Sequence, residues 1–370
     1  MRILLCNAQV PFARGGAELL VESLRDELRR RGHQADIVTL PYSWDTREKI
    51  VTSALAWRLV DLERVAGERV DRVIATRFPS YLVRHPHKVV WLVHQLRQVY
   101  DLKGTAHSDF GDGERDRAAI DMVRRMDAQG LGEARRIFSI SRNTAERLRR
   151  FNDLEATVLY PPPALAGAYR SGAHGDYVFS AGRLDPMKRF DQLLRGVAAT
   201  AKPVRCRIAG EGPARAALEE LAAKLGIAER VEFLGWVDDA ALVEHYAGAL
   251  AVYYAPFDED YGYVTVEAFL AGRPVVTTAD AGGVLEFVRD GVNGYVTAPD
   301  APRPLAAALD RLWNDRALAT RLGAAGRAEV AGIGWDAVIA GLLGDDAGGE
   351  VEPDRAPGDA AAAKLRGGFQ

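Results

Sequence analysis

Three consecutive prolines, Pro161-Pro162-Pro163, interrupt a chain that otherwise repeats one pattern almost from end to end. Proline fixes φ and has no N–H to donate, so Tyr160–Pro163 is neither a helix nor a central strand and reads as a stiff extended strap. On both sides of it, short apolar runs alternate with amphipathic stretches, the pattern of a parallel sheet covered by helices. Strand candidates before the strap are 2–6, 35–40, 72–75, 89–93 and 136–139; after it they are 177–181, 205–209, 231–234, 249–254 and 274–278. The stretch 17–31 carries Leu19, Leu20, Leu24 and Leu28 at helical spacing and is closed by Gly32. Two α/β domains, each a doubly wound parallel sheet, are therefore expected over 1–165 and 166–334. Residues 335–343 form a last helix, and 344–370, rich in Gly, Ala, Asp and Pro and without periodicity, read as a disordered tail.

At 370 residues and 48% hydrophobic, the chain is long enough for two cores. Residues 1–165 carry 27 Lys and Arg against 22 Asp and Glu, leaving 21 against 29 for the remainder, so the first domain is the better host for an anionic partner. The cysteines Cys6 and Cys206 both lie in apolar strand-like runs and give neither a disulfide framework nor metal-ligand spacing. No stretch reaches the ~18 apolar residues of a membrane span, and Met1-Arg2 leads straight into a strand without a signal-peptide core. A cytoplasmic protein is expected, with no membrane helix and no nucleic-acid partner.

In E-D-Y-G-Y-V-T-V-E, residues 259–267, a carboxylate falls inside what should be an almost wholly apolar helix. Val264, Val266, Ala268, Phe269, Leu270 and Ala271 surround Glu267, and a buried carboxylate is costly unless something pairs with it. No Lys or Arg lies one turn away at 263, 264, 270 or 271. The partner is either a remote core arginine or a ligand bearing hydroxyl donors. Gly262, just ahead of the helix, permits close backbone approach, and the first-turn amides would face such a ligand. Elsewhere, Gly15-Gly16-Ala17-Glu18 opens the first helix, where its amides can receive a phosphate or a sugar; a plain turn fits the same residues. In S-A-G-R-L-D-P-M-K, Arg183 and Lys188 follow a strand end in a loop held by Pro186. Two such cations can neutralise a diphosphate, each charge-assisted bond contributing about 1.5–3 kcal/mol; solvated surface charges are the other reading.

Taken jointly, these stretches resemble the retaining nucleotide-sugar glycosyltransferases of family four, whose GT-B fold sets two Rossmann-like doubly wound parallel-sheet domains facing a central cleft. The resemblance runs from Gly15-Gly16 through G-R-L-D-P-M-K at 182–188 and A-G-E-G-P at 209–213 to E-D-Y-G-Y-V-T-V-E-A-F-L-A-G-R-P-V-V at 259–276. Trp335-Asp336 is similar to the family's final helix, which crosses back to the first domain.

By that resemblance the catalytic set is His94, Glu259, Arg183 and Lys188. Arg183 and Lys188 would hold the donor diphosphate, Glu267 the ribose, and Glu259 with Gly262, Tyr263 and Val264 the donor sugar. Gly15 and Gly16 would lie near phosphate or sugar, and Gly210, Val237 and Asp238 would line the base pocket. H-Q-L-R-Q-V-Y-D-L, from His94 to Leu102, is less standard, and there Arg97 and Tyr100 are the acceptor-side candidates.

The implied activity moves a hexosyl unit from a UDP- or GDP-hexose to a hydroxyl of a glycan or lipid-linked glycan, in polysaccharide or glycoconjugate biosynthesis. The nucleotide sugar is a substrate, and no cofactor or metal is expected. Asp258-Glu259-Asp260 matches the D-x-D of a metal-chelating glycosyltransferase fold, but it overlaps the 259–267 motif and reads as coincidence. The basic run with Arg142, Arg147, Arg149 and Arg150 suits peripheral contact with an inner membrane surface; a solvated helix face is the blander reading. A nicotinamide-dependent dehydrogenase fails because the first turn lacks G-x-G-x-x-G and Pro213 follows G-E-G. A sugar-nucleotide epimerase, a phosphorolytic enzyme and a non-catalytic sugar-nucleotide-binding protein remain as alternatives.

Overall fold

The computed structural model describes residues 1–12 and 14–344, so the expected tail beyond Gly344 lies outside the described residues. Among the described residues the chain divides into two compact units: Met1–Ala164 with residues 333–344, and Leu165–Gly332.

In the first unit, β1 (Arg2–Gln9), β2 (Gln34–Pro41), β5 (Arg72–Arg77), β6 (Lys88–His94), β7 (Arg136–Ser139) and β8 (Thr157–Val158) form one parallel sheet in the order β2-β1-β5-β6-β7-β8. A small antiparallel hairpin, β3 (Arg64–Val65) with β4 (Glu68–Arg69), precedes β5. Helices α1 (Gly16–Arg30), α2 (Arg47–Leu59), α3 (Glu114–Gly132) and α4 (Arg142–Asn152) supply the connections. Strand β6 is buried on both faces from Lys88 to Val93, as a central parallel strand must be. α1 buries Leu20, Val21, Leu24 and Leu28 along one stripe.

The last helix, α11 (Trp335–Leu343), belongs to this unit. Trp335 packs edge-on against buried Trp91, ring centroids 6.3 Å apart, Arg31 pairs with Asp336, and the buried Arg72 guanidinium donates to the Leu342 carbonyl at 2.6 Å. On α4 the basic face is smaller than the sequence suggests. Arg142, Arg149 and Arg150 are exposed, but Arg147 is buried and pairs with Asp101 at 3.3 Å, because its position falls on the helix stripe that also buries Thr144 and Leu148.

In the second unit, β9 (Tyr177–Ala181), β10 (Arg205–Ala209), β11 (Val231–Gly235), β12 (Ala251–Tyr253), β13 (Val275–Thr278) and β14 (Gly294–Thr297) are all parallel, in the order β11-β10-β9-β12-β13-β14. Helices α5 (Phe190–Ala198), α6 (Arg215–Lys224), α7 (Asp239–Gly248), α8 (Tyr263–Leu270), α9 (Pro302–Asn314) and α10 (Arg316–Glu329) cover it. Strand order reverses between β9 and β12 here, and between β1 and β5 in the first unit. In open α/β sheets, ligands collect outside the carboxyl ends of the strands at such a reversal.

Most strand cores fall where apolar patterning puts them, but β1, β5 and β6 run on to Gln9, Arg77 and His94. These polar ends are held by pairing across the sheet, Arg77 lying opposite His94, and they have no hydrophobic signature to announce them.

Candidate functional site

At the reversal in the second sheet, the loop after β9 meets the loop after β12. Ser180 Oγ donates to the Tyr253 carbonyl at 2.8 Å, binding the two strands just below. Arg189 fixes the loops above: its guanidinium donates to the carbonyls of Ala255 and Pro256, both at 2.7 Å, and grips Asp280 with both terminal nitrogens, at 2.7 and 2.8 Å. Its backbone is left-handed, φ 52°, where the short helical turn Pro186–Lys188 gives way to α5.

The three cations of this loop therefore differ in kind. Arg189 is built into the frame. Lys188 Nζ pairs with Glu259 Oε2 at 2.5 Å and lies 3.3 Å from the Tyr254 hydroxyl. Burial opposes its charge, but the Glu259 carboxylate and the Tyr254 phenol outweigh that and hold the ammonium protonated well above the usual lysine range. Arg183 is exposed, and its guanidinium has no partner among the described residues. Glu259 is itself buttressed by backbone: its amide donates to the Ala281 carbonyl at 3.2 Å and its carbonyl accepts from Gly283 N at 2.7 Å. A Cβ on Gly282 would sit 2.6 Å from that same carbonyl oxygen, so this crossing requires glycine.

Gly262, left-handed at φ 86°, is the N-cap of α8, and Tyr263 and Val264 open the helix, where first-turn amides have no intrahelical acceptor. A side chain at 262 would press on the Tyr254 ring, 3.1 Å away. Glu267 lies farther along α8 in a separate cluster. Its partner is neither arginine nor lysine: Tyr246, on α7, donates its hydroxyl to Oε2 at 2.6 Å. Tyr169 stands edge-on to Tyr246, centroids 5.5 Å apart, with its phenol beside the same carboxylate, although its buried hydroxyl is not aligned for a good hydrogen bond. Burial pushes the Glu267 carboxyl above the usual range, and the two phenols pull it only partly back.

The A-G-E-G-P glycines have a structural cause. Gly210, at φ 123°, donates to the Gly235 carbonyl at 2.7 Å, and a Cβ there would lie 2.0 Å from the Gly182 carbonyl oxygen. The turns after β9, β10 and β11 are thus pressed together backbone to backbone. Val237 is half-buried beside them, while Asp238 is engaged locally, capping α7 by accepting from Ala241 N at 2.8 Å.

In the first unit, Gly15 and Gly16 are exposed at the start of α1, but the Gly15 amide already donates to Glu18 at 2.9 Å, and Glu18 also pairs with Arg77. His94 ends β6 with its ring half-buried and Nδ1 2.8 Å from the Gln95 carbonyl, which makes Nδ1 the protonated nitrogen in the neutral ring. The two acceptor-side candidates are occupied. Arg97 pairs with Asp101, and the Tyr100 hydroxyl is buried on Asp127 at 2.8 Å. Sequence reasoning missed Tyr246, Tyr254, Tyr169 and Arg189. Tyr254 closes an expected strand and Arg189 adjoins Lys188, so both sat beside a signal; nothing distinguishes Tyr246 from a core tyrosine on a helix.

Two family models match the chain: "Glycosyltransferase Family 4" over residues 14–162 and "Glycosyl transferases group 1" over residues 169–329. A D-inositol 3-phosphate glycosyltransferase of Nocardia farcinica is 31% identical over 283 residues, 68% of this chain and 61% of that protein. The match thus spans less than two thirds of that relative's length. Sucrose-phosphate synthase of Thermosynechococcus elongatus shares the fold with a TM-score of 0.75 at 20% identity, over 93% of this chain and 98% of that one. HepE of Anabaena, solved in complex with UDP-glucose, does so with a TM-score of 0.69 at 18% identity, again over 93% and 98%. With both units matched and both built as doubly wound parallel sheets, the chain belongs to the group 1, family four glycosyltransferases of GT-B fold.

Proposed function

We propose that the protein is a retaining, metal-independent glycosyltransferase that moves a hexosyl unit from a uridine- or guanosine-diphosphate hexose to a hydroxyl of a glycan or lipid-linked glycan. The observation that carries this reading is the Lys188–Glu259 pair at the strand-order reversal, with the exposed Arg183 on the same loop. A diphosphate entering there meets two cations. By taking over Lys188, it releases Glu259 to accept hydrogen bonds from the sugar hydroxyls, so one arrangement serves both halves of the donor.

In the transfer, the bond between the anomeric carbon and the phosphate oxygen breaks and its electron pair leaves with the diphosphate. Lys188, Arg183 and the first-turn amides of α8 stabilise that charge where it develops, the task that a divalent ion performs in other enzymes. The acceptor oxygen bonds to the anomeric carbon from the face that the phosphate leaves, and the acceptor proton passes to the departing phosphate oxygen. Configuration is therefore retained without an enzymic nucleophile. Glu267, held by the buried Tyr246 hydroxyl, binds the ribose hydroxyls, and the resemblance assigns His94 to the reacting sugar.

The complex of HepE with UDP-glucose supports a nucleotide-sugar donor, and the name of the Nocardia relative, a D-inositol 3-phosphate glycosyltransferase, supports transfer to a hydroxyl-bearing acceptor. Among the described residues no helix is long and apolar enough to cross a membrane. Contact with a lipid-linked acceptor at the inner membrane surface would fall to the exposed Arg142, Arg149 and Arg150.

The test is to incubate the protein with UDP- and GDP-hexoses and follow release of the nucleoside diphosphate, with the anomeric configuration of the product read by NMR. Release with retained configuration is expected. An inverted product contradicts the mechanism, interconversion of the donor without acceptor points to an epimerase, and binding without turnover points to a regulatory protein.

A further inference from the structure

Beneath the His94 loop lies a run of hydrogen bonds that the transfer scheme does not use. Asp127, on α3, is fully buried and accepts from two phenols, Tyr81 at 2.9 Å and Tyr100 at 2.8 Å. The Tyr100 oxygen in turn accepts from Asn152 Nδ2 at 3.2 Å, and Asn152 Oδ1 accepts from Gln95 Nε2 at 2.6 Å. Gln95 is fully buried, and its carbonyl is the group on which His94 Nδ1 rests at 2.8 Å. Every donor points toward the carboxylate, so the bonds polarise one another in a single sense and end on the one group that only accepts when ionised. The segment from His94 to Tyr100 is pinned at both ends by this run.

We propose that Asp127 is a positioning residue for His94, acting through Tyr100, Asn152 and Gln95 to fix the plane and tautomer of the imidazole. The inference rests on the reading of His94 as a residue of the transfer site. Burying a carboxylate with two phenols and the Gln95 amide is expensive, and apolar side chains would fill the same space at less cost. The arrangement makes sense if it specifies where the loop sits. Few other charges approach it. Arg124, on the same helix, lies over the Tyr100 ring at 5.5 Å and donates to the Val99 carbonyl, while Lys88 Nζ is held by the carbonyls of Tyr81, Val83 and Gly130. Tyr42 also faces Asp127. Burial raises the Asp127 carboxyl to about 7, against the pull of both phenols, so the cost of the charge is visible in the group itself.

The test uses the full chain labelled with 15N-histidine, the His94 resonances being assigned by their loss in His94→Gln. Tyr100→Phe removes the central hydroxyl; Asn152→Ala, at a half-exposed position, breaks the same run without touching the buried acid and serves if the first variant folds poorly. In both, the separation of the His94 Nδ1 and Nε2 shifts should change. Turnover of the donor sugar should fall about tenfold or more with nucleotide affinity unchanged, as misplacement of a reacting group demands. The double variant should lose no more than the worse single one. Altered stability with unchanged His94 shifts and turnover would overturn the inference. If the wild type turns over no nucleotide sugar, the transferase reading fails, and the His94 resonances still decide whether Asp127 positions the ring.

Discussion

Lys188 and Glu259 form an ion pair at 2.5 Å, although the first faces the diphosphate and the second the sugar in the proposed donor complex. The cation assigned to the phosphates is thus held in place by the carboxylate assigned to the hydroxyls. Both groups of the proposed site are ordered before a donor enters, which lowers the entropic cost of assembling it.

Arg183 and Lys188 should separate in their effects on stability. Either change to Ala should weaken nucleoside-diphosphate binding by about 1.5–3 kcal/mol in calorimetry, the range for a charge-assisted hydrogen bond. Arg183→Ala should leave the melting temperature unchanged, since that side chain has no partner among the described residues to lose. Lys188→Ala should lower it by removing the ion pair with Glu259. Unchanged affinity in both variants would remove the diphosphate clamp.

The two glutamates should divide differently. Glu267→Gln and Tyr246→Phe should both reduce affinity for the sugar-free nucleotide, because each alters the carboxylate assigned to ribose. Glu259→Gln should mainly lower turnover of the sugar-bearing donor. Equal losses of nucleotide affinity in Glu259→Gln and Glu267→Gln would contradict the division.

Asp127 should leave a pH signature in stability. The folded protein keeps its proton up to about pH 7, whereas the ordinary value of the group is 3.8, so between these limits the folded state binds more protons than the unfolded chain. The group's contribution is therefore full below the lower limit and is lost as pH rises through the upper one. Relative to Asp127→Asn, the wild type should lose stability steadily across that window and run parallel above it. A constant difference in melting temperature throughout the window would show that Asp127 is already ionised at its lower end.

Exhaustive chelation should leave turnover intact. Loss of turnover that manganese or magnesium restores would return Asp258-Glu259-Asp260 to consideration as a ligand set.

The second-unit motifs were legible because each combines a strand end with a chemically costly choice: cations after Ala181, a glycine at 262, and a carboxylate inside an apolar helix. Sequence spacing supplied the need of Glu267 for a partner but not Tyr246, since a tyrosine on α7 looks like packing until the fold brings it to α8. It also counted Arg147 with a basic face, although helix phase turns that residue inward, and offered Tyr100 to the acceptor, although its hydroxyl is spent on Asp127. The polar strand ends Gln9, Arg77 and His94 were the hardest to place. Apolar periodicity stops before them, and only pairing across the sheet extends the strands that far.

The central claim is that the second unit is built to hold a nucleoside-diphosphate sugar, and calorimetric titration of the whole protein with UDP, GDP, their hexoses and NAD tests it most directly. Binding of a nucleoside diphosphate or its hexose, weakened in Arg183→Ala and absent for NAD, is the expected result. Binding of NAD with silence from every nucleotide sugar would contradict it.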